Sequence, residues 1–137
     1  MHQPGDSVTN VITYRMDGPL LIVTKSGTST PRERAIVFDA MRTDPVVPNG
    51  ALLLLNMRDD EDAPEGTELG NRFLELTTAL GLKLGPACAV IVHDQHDSDA
   101  RALRTIPATQ GLCVVIVRDE TVARAWLSAF LPRGTVT

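Results

Sequence analysis

Two histidines, a run of carboxylates and two flanking arginines carry most of the chemistry that this 137-residue chain offers. His93 and His96 stand beside Asp94 and Asp97, and imidazole with carboxylate is a donor set that suits zinc, iron or manganese. A site would need both histidines and one of Asp94, Asp97 or Asp59. Residues 93–98 read as a loop, however, and in a loop a spacing of three fixes no common face, so a solvated polar turn accounts for them better. The acids Asp59, Asp60, Glu61, Asp62 and Glu65 follow Arg58 closely, but consecutive acids do not alternate ligand with spacer as a calcium loop does. No metal is expected, and His93, His96 and Asp97 are the residues that would hold one.

Nucleophilic chemistry has less support. There is no Gly-x-Ser-x-Gly elbow, and Ser26, Ser29 and Ser98 all have turn or capping explanations. Cys88 and Cys113 each sit early in an apolar run, without CxxC spacing, and read as buried free thiols on the wrong edge to meet His93. Neither a Walker loop nor Gly-x-Gly-x-x-Gly is present. The expectation is a protein that is not an enzyme and needs no cofactor.

The elements that position these residues alternate. Residues 11–16 form a first strand with Ile12, Tyr14 and Met16 on one face; Asp17-Gly18-Pro19 breaks it, and 20–25 return as an antiparallel partner. Thr30, Pro31 and Glu33 make a capping box for a helix whose buried arc would hold Ile36, Val37, Ala40 and Met41, and Asp44-Pro45 stops it. The run 51–55 shows no alternation, which suits a central strand covered on both faces. It delivers the loop 58–67 to a helix opening near Thr67, in which Leu69, Phe73, Leu76 and Leu80 repeat at helical spacing. A strand at 87–92, a short helix over 98–106, a strand at 112–117 and a last helix complete the chain. In that helix Val122, Ala125, Trp126, Ala129 and Phe130 follow an amphipathic pattern. Trp126 is therefore a core residue rather than a ligand-stacking one, and its truncation should cost roughly 3–5 kcal/mol.

One strand followed by four strand–helix pairs argues for an α/β fold with a mixed, largely parallel sheet. Its single domain spans 10–131, between a disordered lead-in at 1–9 and a tail at 132–137. With 43% apolar and 22% charged residues the chain has the balance of a soluble globular protein, and a net charge of −4 offers nucleic acid no footprint. No apolar run approaches a membrane span. The first residues lack a secretion signal, so a cytoplasmic location is expected.

The order of these pieces resembles a family, the small bacterial proteins with a SpoIIAA-like or STAS-like fold, related to anti-sigma-factor antagonists. The resemblance rests on Ile12-Thr13-Tyr14, Ser26-Gly27-Thr28 before a capped helix, Asp44-Pro45 with Pro48-Asn49-Gly50, Asn56-Met57-Arg58-Asp59, and Arg118-Asp119 before Ala123-Arg124-Ala125-Trp126-Leu127. It spans about residues 11–131. It implies a SpoIIAA-like domain of one antiparallel strand and four βα units. Antagonists of that family carry a phosphorylatable serine at the helix start after the corresponding strand. Here the place holds an acidic loop and Thr67, which reads as a plain helix cap.

Parallel strands would bring the loops that follow them to one edge, where ligands of α/β sheets bind. The leading expectation is a non-catalytic regulatory or interaction module that meets a protein partner through Arg58, Asp59, Asp60, Asp62, Thr67 and Arg118, with a homodimer as one arrangement such a module can take. The alternative is a domain binding a small apolar ligand or lipid, because some relatives with this general fold hold apolar ligands beneath a mobile helix. The helix over 98–106 and the loop 107–111 would form that lid.

Overall fold

A run of apolar residues without alternation can be hidden only between two covering layers, and that is where Ala51 to Leu55 lies. The computed structural model describes residues 12–60, 66–92 and 112–131, the side chains of 60 and 66–70 apart. The element order is β1 (Ile12–Asp17), β2 (Leu20–Gly27), α1 (Pro31–Thr43), β3 (Ala51–Asp60), α2 (Gly66–Leu80), a 3₁₀ turn (Gly81–Lys83), β4 (Leu84–Ile91), β5 (Cys113–Val117) and α3 (Glu120–Ser128). The five strands form one sheet in the order β1-β2-β3-β4-β5. Only the β1–β2 pair is antiparallel; β2 through β5 run parallel. The expected lead-in, the histidine loop, the helix over 98–106 and the C-terminal tail lie outside the described residues.

Alternation divides each strand between two cores. Leu21 and Val23, Leu53 and Leu55, and Cys88 and Val90 face α1 and α2, where Val37, Phe38, Met41, Phe73, Leu76 and Leu80 cover them. Leu20 and Ile22, Leu52 and Leu54, and Ala87, Ala89 and Ile91 face the other way, toward Ala123 and Leu127 of α3. Leu53 and Leu54 are both fully buried, so consecutive residues anchor opposite layers, as a strand period of two requires.

The capping box forms as its spacing predicts. Thr30 Oγ1 accepts from the Glu33 amide at 3.1 Å, and Glu33 Oε1 accepts from the Thr30 amide at 2.8 Å. The buried arc of α1, however, differs from the expected one. Arg34, Val37, Phe38 and Met41 are buried, while Ile36 is 44% exposed and Ala40 is exposed. Both arcs have helical spacing, but only the observed rotation takes the large aromatic ring of Phe38 out of water. A similar shift occurs in α3: Ala123 and Leu127 are buried, Trp126 and Phe130 are half-buried with ring centroids 4.8 Å apart, and Val122 is 53% exposed. Asp119 caps α3 by accepting from the Thr121 and Val122 amides at 2.6 and 3.3 Å, and this holds Val122 in the first turn, on the solvent side.

Three further expectations change. Strand β3 continues to Asp60, so Arg58 and Asp59 belong to the strand and not to the loop after it. Strand β4 starts at Leu84, earlier than its apolar run suggests, and takes in Gly85 and Pro86 beside a register shift. A Cβ at Gly85 would stand 2.8 Å from the Ala51 carbonyl oxygen and nearer still to that of Gly50, so β3 and β4 approach here only because the side chain is missing. Finally, Cys88 is buried but Cys113 is exposed. As the first residue of β5, which pairs only with β4 among the described residues, Cys113 lies beyond the cover that the helices give the inner strands.

No helix among the described residues is long and apolar enough to cross a membrane.

Candidate functional site

The parallel strands place the carboxyl ends of β2, β3, β4 and β5 on one edge of the sheet. At that edge, on the α1/α2 side, the described residues leave a gap in the core. A concavity of about 500 Å³, open solvent at its mouth included, is bounded by Val23 and Lys25 of β2, Leu55 and Met57 of β3, and Val90 of β4. Ile12 of β1, Arg34 and Phe38 of α1, and Arg72, Phe73 and Leu76 of α2 complete it. Its lining has the character of a small-molecule pocket, an apolar wall with few polar groups.

Three cations line it, each from a different element: Lys25 from β2, Arg34 from α1 and Arg72 from α2. Lys25 is 6% exposed and Arg34 7%, unusual values for residues that are almost never fully buried unless paired. Their positions follow from local geometry. Lys25 continues the alternation of Leu21 and Val23, and Arg34 opens the i, i+3, i+4, i+7 stripe of Val37, Phe38 and Met41. Lys25 also sits at an irregularity. Thr24 pairs with Asn56 and Ser26 with Asp59, so two residues of β3, Met57 and Arg58, oppose one residue of β2. Bulges of this kind re-aim side chains and are common beside functional sites.

Hydrogen bonds fix the cations unequally. Arg34 Nε donates to Glu75 Oε1 at 2.7 Å, tying α1 to α2, and Nη1 donates to the Ser29 carbonyl and hydroxyl at 3.2 and 3.1 Å. A guanidinium has five N–H donors; Nη2 of Arg34 takes no partner among the described residues. Lys25 Nζ donates to the Gly27 carbonyl at 3.2 Å. No carboxylate lines the concavity among the described residues, Glu75 standing outside the wall.

The residues singled out in the sequence lie elsewhere on the same edge. Arg58 and Asp59 are exposed at the end of β3, where Asp59 and Asp60 pair with Ser26 and Gly27 of β2. Arg118 is exposed just after β5. Two strand spacings separate β5 from β3, roughly 10 Å, so Arg118 shares the edge with Arg58 without adjoining it. Thr67 lies in the first turn of α2. Asp62, His93, His96 and Asp97 lie outside the described residues. Cys88 is sealed in the core, where burial pushes its thiol pKa far above the ordinary value and keeps it protonated.

Sequence reasoning missed Lys25, Arg34 and Arg72. A signal for the first two existed, a cation in phase with an apolar stripe. That signal is ambiguous, because long basic side chains commonly lay their stems on apolar surface while the charge reaches water.

No protein-family model matches the chain, and no curated protein does either.

Proposed function

We propose that this chain is a non-catalytic binding module on a SpoIIAA-like α/β scaffold, and that its ligand is a small, largely apolar molecule held between α1, α2 and the sheet. The single observation that carries the reading is the unfilled apolar wall at the carboxyl edge, since a domain with no ligand to hold gains by closing such a gap at native packing density. The element order and the five-stranded mixed sheet fit the resemblance to SpoIIAA-like domains. Native mass spectrometry of protein purified from its own host tests the proposal. A co-purifying small molecule whose loss on Phe73→Trp, which fills the wall, parallels its loss on denaturation is the expected result; protein without adduct that also binds no apolar probe removes the reading.

A second reading, recognition of a protein partner, is favoured by the exposure of Arg58, Asp59 and Arg118 on the same edge. Charged groups at a rim chiefly raise association rate and specificity. A pull-down whose partners survive charge reversal of Asp59, Asp60 and Asp62 counts against it.

A further inference from the structure

The geometry points to an anionic amphiphile as the ligand, a free monocarboxylate with an aliphatic tail, its head group bound by Lys25, Arg34 and Arg72 and its tail lying on Phe38, Leu55 and Leu76. This inference rests on the ligand-binding reading above and adds the chemical class.

The convergence, burial and hydrogen bonding of the cations carry it, together with the apolar lining around them. The cations reach the concavity from three separate elements, so no single helix or strand accident explains their convergence. Two of them are more than nine-tenths buried, so a carboxylate that meets them there does so largely out of water, where charge-assisted hydrogen bonds are stronger. The Nη2 donors of Arg34, without a partner among the described residues, offer a carboxylate charge-assisted hydrogen bonds. Among the described residues the rest of the wall is apolar, which favours a ligand with a tail over a small hydrophilic anion. Glu75, already bound to Arg34 Nε, holds the guanidinium in place beside the opening and thereby limits the ordering that binding demands.

Isothermal titration calorimetry of the full chain with octanoate, octan-1-ol and octyltrimethylammonium, all below micelle formation, separates the possibilities. Octanoate should bind about ten- to a hundredfold more tightly than octan-1-ol, the range expected of hydrogen bonds to charged groups, and octyltrimethylammonium should be the weakest. Equal or tighter binding of octan-1-ol overturns the anionic head group while leaving the apolar ligand in place. Absence of binding by all three removes the ligand reading itself. Lys25→Met should weaken octanoate about tenfold and leave octan-1-ol unchanged, which shows that the pocket is intact; Lys25→Arg should restore octanoate. Unaltered octanoate affinity in both Lys25→Met and Arg34→Met overturns the assignment of the cations.

Discussion

The two faces of the sheet are built from the same strands and solve different problems. On the α3 side, Ala87, Ala89 and Ala123 are fully buried and small, and they let the short helix α3 lie against β4 with Leu52, Leu54 and Leu127 filling the remaining space. Its charges stay at the rim, where Arg124 meets Asp17 at 2.9 Å and Glu120 at 2.8 Å and ties the helix to the end of β1. On the α1/α2 side the side chains are larger, the described residues leave the wall open at the carboxyl edge, and cations line the opening. One face is finished by packing; the other keeps room and charge together, a combination that packing alone does not favour.

Breaking the closed face should have the largest effect. Leu54→Ala removes a fully buried side chain where nothing can collapse into the space, and we expect a loss of roughly 3–5 kcal/mol in urea denaturation. A loss below that of a surface substitution would mean that this face is not the tighter one. Trp126→Ala, on the same face but half-buried, should cost less, roughly 2 kcal/mol, rather than the full value of a core tryptophan. On the open face, Glu75→Leu leaves the buried guanidinium of Arg34 without its carboxylate partner; a cost of about 1–2 kcal/mol is expected, moderated by the solvent exposure of Glu75. Thr30→Ala, which removes the capping box at the start of α1, should cost about 1 kcal/mol and lower the melting temperature without altering ligand affinity beyond that.

The smallest effect sharpens the comparison through pH. Asp44, just past α1, accepts from the Val46 amide and from the Tyr14 hydroxyl at 2.8 Å, and these bonds hold its pKa below the ordinary carboxylate value. A depressed carboxylate contributes stability that is present above its unfolded pKa and lost as pH falls through the folded one. The stability difference between the protein and Asp44→Asn should therefore be constant near neutrality and shrink once the pH drops below about 3.8, the ordinary carboxylate value. Tyr14 has the opposite sign: burial and the same hydrogen bond raise its pKa, so its contribution is complete below pH 10 and fades as pH rises above that. A difference that grows on acidification would reverse the assignment of this clamp.

Much of the scaffold is legible in the residues themselves. Strand order along the chain, the β1–β2 hairpin, the doubly covered β3 and the capping box on α1 all follow from short-range rules, because caps, turns and strand alternation are decided within a few residues. Boundaries were less legible: the polar end of β3 looks like a loop, yet its backbone finds partners in Ser26 and Gly27 of β2. Helix rotation was less legible still. In α1 two arcs satisfy the helical period, and only docking against the sheet selects the one that buries Phe38 and with it Arg34.

That selection also made the candidate site. By itself the sequence determined the period of each element, and hence that Lys25 shares a face with Leu21 and Val23 and that Arg34 can share one with Met41. It determined nothing about their meeting Arg72, because positions 25, 34 and 72 share no local repeat. Only the tertiary structure brought them together, through the register of β2 on β3, the bulge opposite Lys25 and the contact of α1 with α2. The physical reason is that local conformation is set by nearest neighbours along the chain, whereas a binding wall is set by which buried surfaces exclude water together.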